Sequence, residues 1–259
     1  MSGIEDFYDW DKHWSVYDAN TQINPAQQFR FQIISDIVAE LSGSVLVDIG
    51  CGQGDLLRFL SDKHKKIRFY GFELSASGVS ATRSKVPSAI VEELDLFRDD
   101  ATRLLTDVNA DVATCSEVLE HVPNPGEFLC RAMATVKPGG YFIATVPGGP
   151  RSNFDIQIGH LRHFTKDSAR HLFEEAGYEV PSVYGAGFPF FNLYKLAAMI
   201  RGNRVASDYQ GQPTLVFKTT MRLFGFLFKL SRTKSSLGWQ IVVVAKVPTS
   251  QAASIELGQ

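Results

Sequence analysis

The sequence predicts an α/β protein built on a parallel sheet with helices on both faces. Two observations carry this. Between residues 44 and 183, short apolar runs alternate with helical patterns, the signature of strand–helix–strand units. A glycine-rich turn at 47–54 closes the first run and opens the first helix, where doubly wound sheets bind ligands. The 259 residues suffice for one such domain plus an elaboration.

Residues 44–49 read as the first strand, and 55–60 open a helix. The second strand is 67–72, followed by a helix near 76–85; the third is 89–94 and the fourth 111–115. Residues 125–136 are helical, with Gly139-Gly140 as the stop signal. The fifth strand is 141–146, a helix over 166–176 is closed by Gly177, and the sixth strand is 178–184. A valine-rich last strand, 240–247, lies far along the chain. Five segments follow: an aromatic and helical N-terminal cover (1–43, with a helix at 25–41), the core (44–184), an insert (185–238), the returning strand (239–248) and a tail (249–259). An insert of that length is too long for a plain loop and is expected to carry helices.

Apolar content of 44% and charged content of 21% are those of a globular protein, and a net charge of −2 gives no reason to expect nucleic acid. Cys51, Cys115 and Cys130 form no disulfide framework, and no metal-ligand spacing is evident, so no metal is expected. A reduced, cytoplasmic compartment is the simplest expectation. The acidic, aromatic N-terminus does not read as a signal peptide. The longest apolar uncharged run, 183–194, is about half the roughly 20 residues a spanning helix needs.

The turn reads Val47-Asp48-Ile49-Gly50-Cys51-Gly52-Gln53-Gly54. Glycines let the backbone turn sharply and approach a ligand closely. The spacing is G-x-G-x-G, not the G-x-G-x-x-G of dinucleotide folds. Asp48 would repel a pyrophosphate but suits a ligand carrying an ammonium or sulfonium, which favours an aminoacyl nucleoside over a nicotinamide dinucleotide. Cys51 reads as a small filler in the turn, not a nucleophile. Glu73, at the end of the second strand, can accept hydrogen bonds from ribose hydroxyls. After the third strand, Asp95 can take an adenine amino group and Leu96 can cover the ring.

In order, residues 48–54, Glu73, Asp95-Leu96 and Ser116-Glu117-Val118-Leu119-Glu120-His121-Val122 resemble the motifs of class I S-adenosylmethionine-dependent methyltransferases. The resemblance covers about residues 44–184. It implies a Rossmann-like seven-stranded sheet in the order 3-2-1-4-5-7-6 with the last strand antiparallel. It also implies that Gly50, Cys51, Gly52 and Gly54 bound the methionine pocket and that Asp48 holds the ammonium end. Glu73, with the bulky Leu74 after it, would meet the ribose, Asp95 and Leu96 the adenine, and Ser116 and Glu117 the methionine side. The product would be S-adenosylhomocysteine.

Methyl transfer from a sulfonium is an in-line displacement in which the protein mainly aligns a nucleophile and excludes water. Oxygen nucleophiles also need a base within hydrogen-bond reach. Two histidine segments follow the fourth and fifth strands: Glu120-His121-Val122-Pro123 and Gly159-His160-Leu161-Arg162-His163-Phe164-Thr165. The second resembles the G-H-x-R-H-[FY]-[ST] segment of methyltransferases related to ubiquinone-pathway and polysaccharide-cluster enzymes. His121, His160 and His163 are the candidate bases, each equally open to a structural role in holding a loop. Thr165 is a candidate N-cap. Arg151 and Arg162 would bind an anionic group or lie in solvent. Phe7, Tyr8, Trp10, Trp14 and Tyr17 are expected to fold over the cofactor or to pack the leading helix.

Residues 195–235 hold eight basic residues against one acid, Asp208. Within 214–232, Lys218, Arg222, Gly225, Lys229 and Arg232 recur at helical steps among apolar residues. Such a helix suits the surface of an anionic membrane, or else lies over the substrate cleft or against another subunit. The upstream Phe188-Pro189-Phe190-Phe191-Asn192-Leu193-Tyr194 would line an apolar pocket. The expected activity is O-methylation of a small molecule or a lipid- or sugar-linked intermediate. Two alternatives stand beside it: a non-catalytic S-adenosylmethionine-binding scaffold at a membrane, and a nicotinamide-dependent oxidoreductase. Nucleic acid is not an expected substrate, because no Asn-Pro-Pro-Tyr-like segment follows the fourth strand. Localisation is expected to be cytoplasmic, with peripheral contact at the inner face of a membrane.

Overall fold

The first apolar run forms β1 (Val45–Ile49), in a computed structural model that describes residues 10–11, 24–98, 101–201 and 214–249. β2 (Arg68–Glu73) and β4 (Ala110–Ser116) flank it in parallel. β3 (Ile90–Glu93) extends the sheet beyond β2, and β5 (Val136–Pro147) extends it beyond β4. β7 (Gln240–Lys246) runs antiparallel between β5 and β6 (Glu179–Ala186). The order is 3-2-1-4-5-7-6.

The helices are α1 (Pro25–Leu41), α2 (Asp55–Lys63), α3 (Ala76–Lys85), α4 (Ala101–Val108), α5 (Pro125–Ala132), α6 (Asn153–Gln157), α7 (Lys166–Glu175), α8 (Phe190–Arg201) and α9 (Leu215–Phe228). Successive strand residues point to opposite faces. Val47 and Phe142 join Leu105, Leu129 and Phe173 of α4, α5 and α7 on one side. Leu46 and Ile143 join Ile34, Leu57 and Val79 of α1, α2 and α3 on the other. Burial on both faces is why the strands read as near-continuous apolar runs. α1 is therefore a layer of the core, not a separate cover.

Local chemistry sets the ends. Asn24 caps α1 by accepting from the Ala26 amide, with Pro25 in the first turn. Thr165 caps α7 in a reciprocal box with Ser168. The helix expected over 125–136 stops at Ala132, passes through a 3₁₀ turn (Met133–Thr135), and β5 begins at Val136. Gly139-Gly140 therefore lies inside the strand, where the pairing with β4 shifts register. A Cβ on Gly140 would sit 2.6 Å from Val136 and 2.9 Å from the Asp111 carbonyl, so the glycine serves close approach, not helix termination. α4 and the five-residue α6 were not expected. α8 and α9 fill the insert, and a cluster of Ala26, Phe191 and Phe228 with Phe29, Tyr194 and Phe224 docks them on α1.

Candidate active site

A cavity of about 470 Å³ opens at the carboxyl ends of β1, β2, β4 and β5. At one end lies the glycine turn. Gly50, Gly52 and Gly54 all have positive φ, at 73°, 55° and 78°. A Cβ on Gly50 would come within 2.6 Å of Val118, and one on Gly54 within 2.7 Å of Thr82. Both positions therefore require glycine. Gly50 and Cys51 donate their amides to the Phe72 carbonyl, which pins the turn to β2. Cys51 packs its sulfur over Gly71, and burial pushes its thiol up, as befits a filler.

Asp48 is buried at the floor of the cavity and accepts a 2.7 Å hydrogen bond from Thr114. Desolvation pushes its carboxyl up to about 7, with the Thr114 bond opposing and Glu73 adding to the rise. Glu73 accepts from the Gly52 amide at 2.8 Å and from the amide and hydroxyl of Ser75 at 3.1 and 3.0 Å. Asp95 Oδ1 accepts from the Phe97 amide at 2.9 Å, turning the β3 loop back so that Leu96 is buried beside it. Leu74, Ser116 and Glu117 complete this wall. Ser116 shares a 2.9 Å hydrogen bond with Thr145. Of the residues expected at the cofactor, Gly54 alone lies off the cavity wall, as the N-cap of α2.

The histidines divide. His121 and His160 line the cavity, their rings edge-to-face with centroids 4.8 Å apart; His163 does not line it. His160 Nδ1 faces His163 Nε2 at 3.2 Å, and His163 Nδ1 donates to the Gly149 carbonyl at 3.0 Å. Burial, aided by His121 and His163, pushes His160 down to about 2, so its ring is neutral. Trp10 lines the cavity and meets His121 edge-on at 4.9 Å. Phe7, Tyr8, Trp14 and Tyr17 lie outside the described residues. Both arginines turn out to clamp loops. Arg162 donates to the carbonyls of Val122 and Pro123 at 2.8 and 3.1 Å, and Arg151 to those of His160 and Leu161.

A buried acid at the floor, a glycine cradle and a cavity of this size fit an aminoacyl nucleoside. The family described as "Methyltransferase domain" matches residues 26–183. The chain belongs to this family and is a class I S-adenosylmethionine-dependent methyltransferase. The ubiquinone biosynthesis O-methyltransferase of Burkholderia orbicola (strain MC0-3) is 30% identical over 159 residues, 60% of this chain and 67% of that one. The protein of the same name from Acinetobacter baumannii (strain AYE) is 29% identical over 154 residues, 58% of this chain and 62% of that one. The matches thus span about two thirds of these relatives' own length. A SAM-dependent methyltransferase from Thermotoga maritima superposes with a TM-score of 0.57 at 18% identity, covering 92% of this chain and 97% of that one. The cyclase SpnF superposes at 0.55 with 17% identity, covering 84% and 80%. These two likenesses show the fold, which hosts more than one chemistry.

Three polar residues of the methyltransferase cavity, Gln240 buried and Arg30 and Lys195 half-buried, escaped the sequence reading. Gln240, 1% exposed at the start of β7, donates to Glu117 Oε1 at 2.8 Å and to the Val146 carbonyl at 3.1 Å. Arg30 of α1 approaches Glu117 Oε2 at 3.8 Å, and Lys195 of α8 reaches the Gly148 carbonyl at 3.4 Å. Burial lowers the ammonium pKa of Lys195. Glu117 itself sits at φ 57°, a left-handed conformation uncommon outside glycine, with its carboxylate engaged by Gln240 and Arg30. Each of the three comes from an element distant in sequence from the motifs. The available signal was a polar residue inside an apolar pattern, which elsewhere marks a solvated face.

Proposed function

We propose that the enzyme methylates an oxygen of an amphipathic small molecule, lipid- or sugar-linked, which it takes from an anionic membrane surface. The carrying observation is the course of the cavity. It runs from Asp48 and the glycine turn past His121 and His160 to Tyr194, Ala198 and Met199 of α8. S-adenosylmethionine supplies the activated methyl group. In this reading Asp48 in its ionised form receives the ammonium end, Glu73 the ribose, and Asp95 with Leu96 the adenine. Ser116 and Glu117 bound the methionine side. Acceptor hydroxyl and cofactor are held together under Trp10, which excludes water.

His121 takes the proton from the acceptor oxygen. A base works best with a pKa near the operating pH, and His160, held near 2, is too weak to serve. His160 instead positions His121 by its edge-to-face contact. The relatives named as O-methyltransferases support an oxygen acceptor.

The membrane part of the reading rests on the surface of the insert. Phe217, Met221, Phe224 and Phe228 form the inner stripe of α9. Leu215, Val216, Leu223 and Phe226 remain exposed, and Ile200 of α8 is 87% exposed. Lys218, Arg222 and Lys229 stand among them, and no acid occurs in the described residues from 187 to 249. An apolar surface ringed by cations matches an anionic lipid interface. Among the described residues, no helix is long and apolar enough to cross a membrane.

The test is to incubate the protein with methyl-labelled S-adenosylmethionine and an extract of its source cells, then count label in lipid, polar and macromolecular fractions. Lipid-extractable label bearing an O-methyl group is expected. Label confined to polar compounds would remove the membrane part, and an N-methyl product would remove the oxygen acceptor.

A further inference from the structure

The loop after β5 and the short α6 bring Asp155, His160 and His163 together beside the cavity, and methyl transfer as described uses only His160's ring face. We propose that these three side chains bind one borderline divalent cation of the zinc type. His160 Nδ1 lies 3.2 Å from His163 Nε2, while Asp155 Oδ1 and Oδ2 lie 3.8 and 3.7 Å from those two nitrogens. Ligands about 2.0–2.2 Å from a tetrahedral ion are separated by about 3.4 Å, close to these edges. One ligand atom from each residue lies within 4.8 Å of the others. The three side chains are at most 9% exposed.

The surroundings orient each donor. His163 donates through Nδ1 to the Gly149 carbonyl, which leaves the Nε2 lone pair facing the cluster. Asp155 Oδ2 is held by the amide and hydroxyl of Ser152 at 2.7 and 2.8 Å. Behind His160, its Nε2 faces Glu120 Oε1 at 3.9 Å. Both Glu120 carboxyl oxygens are buried with no hydrogen-bond partner among the described residues, an expensive arrangement for a protein to keep. An ion on His160 Nδ1 obliges the remaining ring proton to sit on Nε2, toward that carboxyl. Closing that 3.9 Å gap on metal binding would make the carboxylate–histidine–metal relay found behind many ligating histidines.

Two imidazoles with one carboxylate suit zinc or cobalt, whereas magnesium and calcium prefer all-oxygen sites. Lys195 and Arg30 are the opposing charges nearby, offset by Glu117 and Glu120. Asp155 and His160 both line the cavity, so a fourth coordination position opens toward it. The sequence pattern D-x4-H-x2-H escapes a search for standard spacings because its ligands come from a helix and an irregular loop.

The experiment uses the full chain, stripped with chelator and without cofactor or acceptor, so its outcome is separate from that of the methylation assay. Zinc is titrated by calorimetry and cobalt by visible absorption. One ion per chain is expected, with a tetrahedral cobalt ligand-field band. Affinity should fall at least about tenfold in His163→Ala and in Asp155→Asn, and stay unchanged in His171→Ala, an exposed surface histidine. Melting of the stripped variants reports whether they fold. Absence of a saturable site and of the cobalt band in the unaltered protein would overturn the proposal. So would folded His163→Ala and Asp155→Asn variants that bind as tightly as the parent. The cluster would then be a hydrogen-bonded loop clamp.

Discussion

Asp48 shows how one buried carboxyl couples pH to both stability and binding. Its folded value is about 7 against an ordinary 3.8. Between those values the folded chain holds a proton that the unfolded chain has lost. The contribution to stability is therefore full below about 3.8 and is lost as pH rises through about 7. The cofactor-free protein should lose melting temperature between pH 5 and 7.5 through this group, and Asp48→Asn should flatten that slope. Binding has the opposite sign. An ammonium prefers the ionised carboxyl, so affinity for S-adenosylhomocysteine should rise several-fold from pH 6 to 7.5. Calorimetry at the two pH values checks this, and equal affinities would count against the ammonium contact. His121 belongs to the same scale. His121→Ala should lower kcat by about 100-fold or more while leaving S-adenosylhomocysteine affinity within about twofold. A parallel loss in both would reassign it to cofactor binding.

At the scale of elements, α1 and α9 behave differently from their amino-acid patterns. Ile34 is fully buried between α1 and the sheet. Ile34→Ala should therefore cost about 2–5 kcal/mol in chemical denaturation, the range for a core cavity. A change under about 1 kcal/mol would mean that α1 is the detachable cover suggested by its place before the first strand. β7 contributes Gln240, whose amide donates to the Glu117 carboxylate. Gln240→Leu leaves that carboxylate short of a donor and should weaken S-adenosylhomocysteine binding with little loss of fold. For α9 the readout is vesicle sedimentation. Each cation near an anionic surface is worth about 1 kcal/mol, so Lys218→Ala with Arg222→Ala should weaken binding to anionic vesicles about 30-fold. Neutral vesicles should bind weakly and show little change.

At the scale of the whole molecule, much was readable because the determinants are local. Strand and helix alternation, the glycine turn and the acids at the ends of β2 and β3 all follow from short-range patterns and the positive φ that glycine allows. These established the α/β class, the order of the elements, and the turn and acids placed around the cavity. The misreading at residues 125–140 has a tertiary cause: Gly139-Gly140 resembles a helix stop, but Gly140 is there because the backbone of β4 passes within contact distance. Arg30, Lys195 and Gln240 were invisible for a related reason. Each meets Glu117 or the cavity only after α1, α8 and β7 return across the sheet from opposite ends of the chain. The histidines were recognised as a set but could not be sorted. Only the fold turns His121 and His160 into the cavity and sets His163 behind them against Gly149. Likewise, a helical stripe gives the period of α9, but which apolar residues are docked and which stay exposed depends on where α1 lies. Sequence by itself thus determined what local backbone geometry and chemistry demand, and tertiary structure decided burial, because burial depends on partners that are distant along the chain.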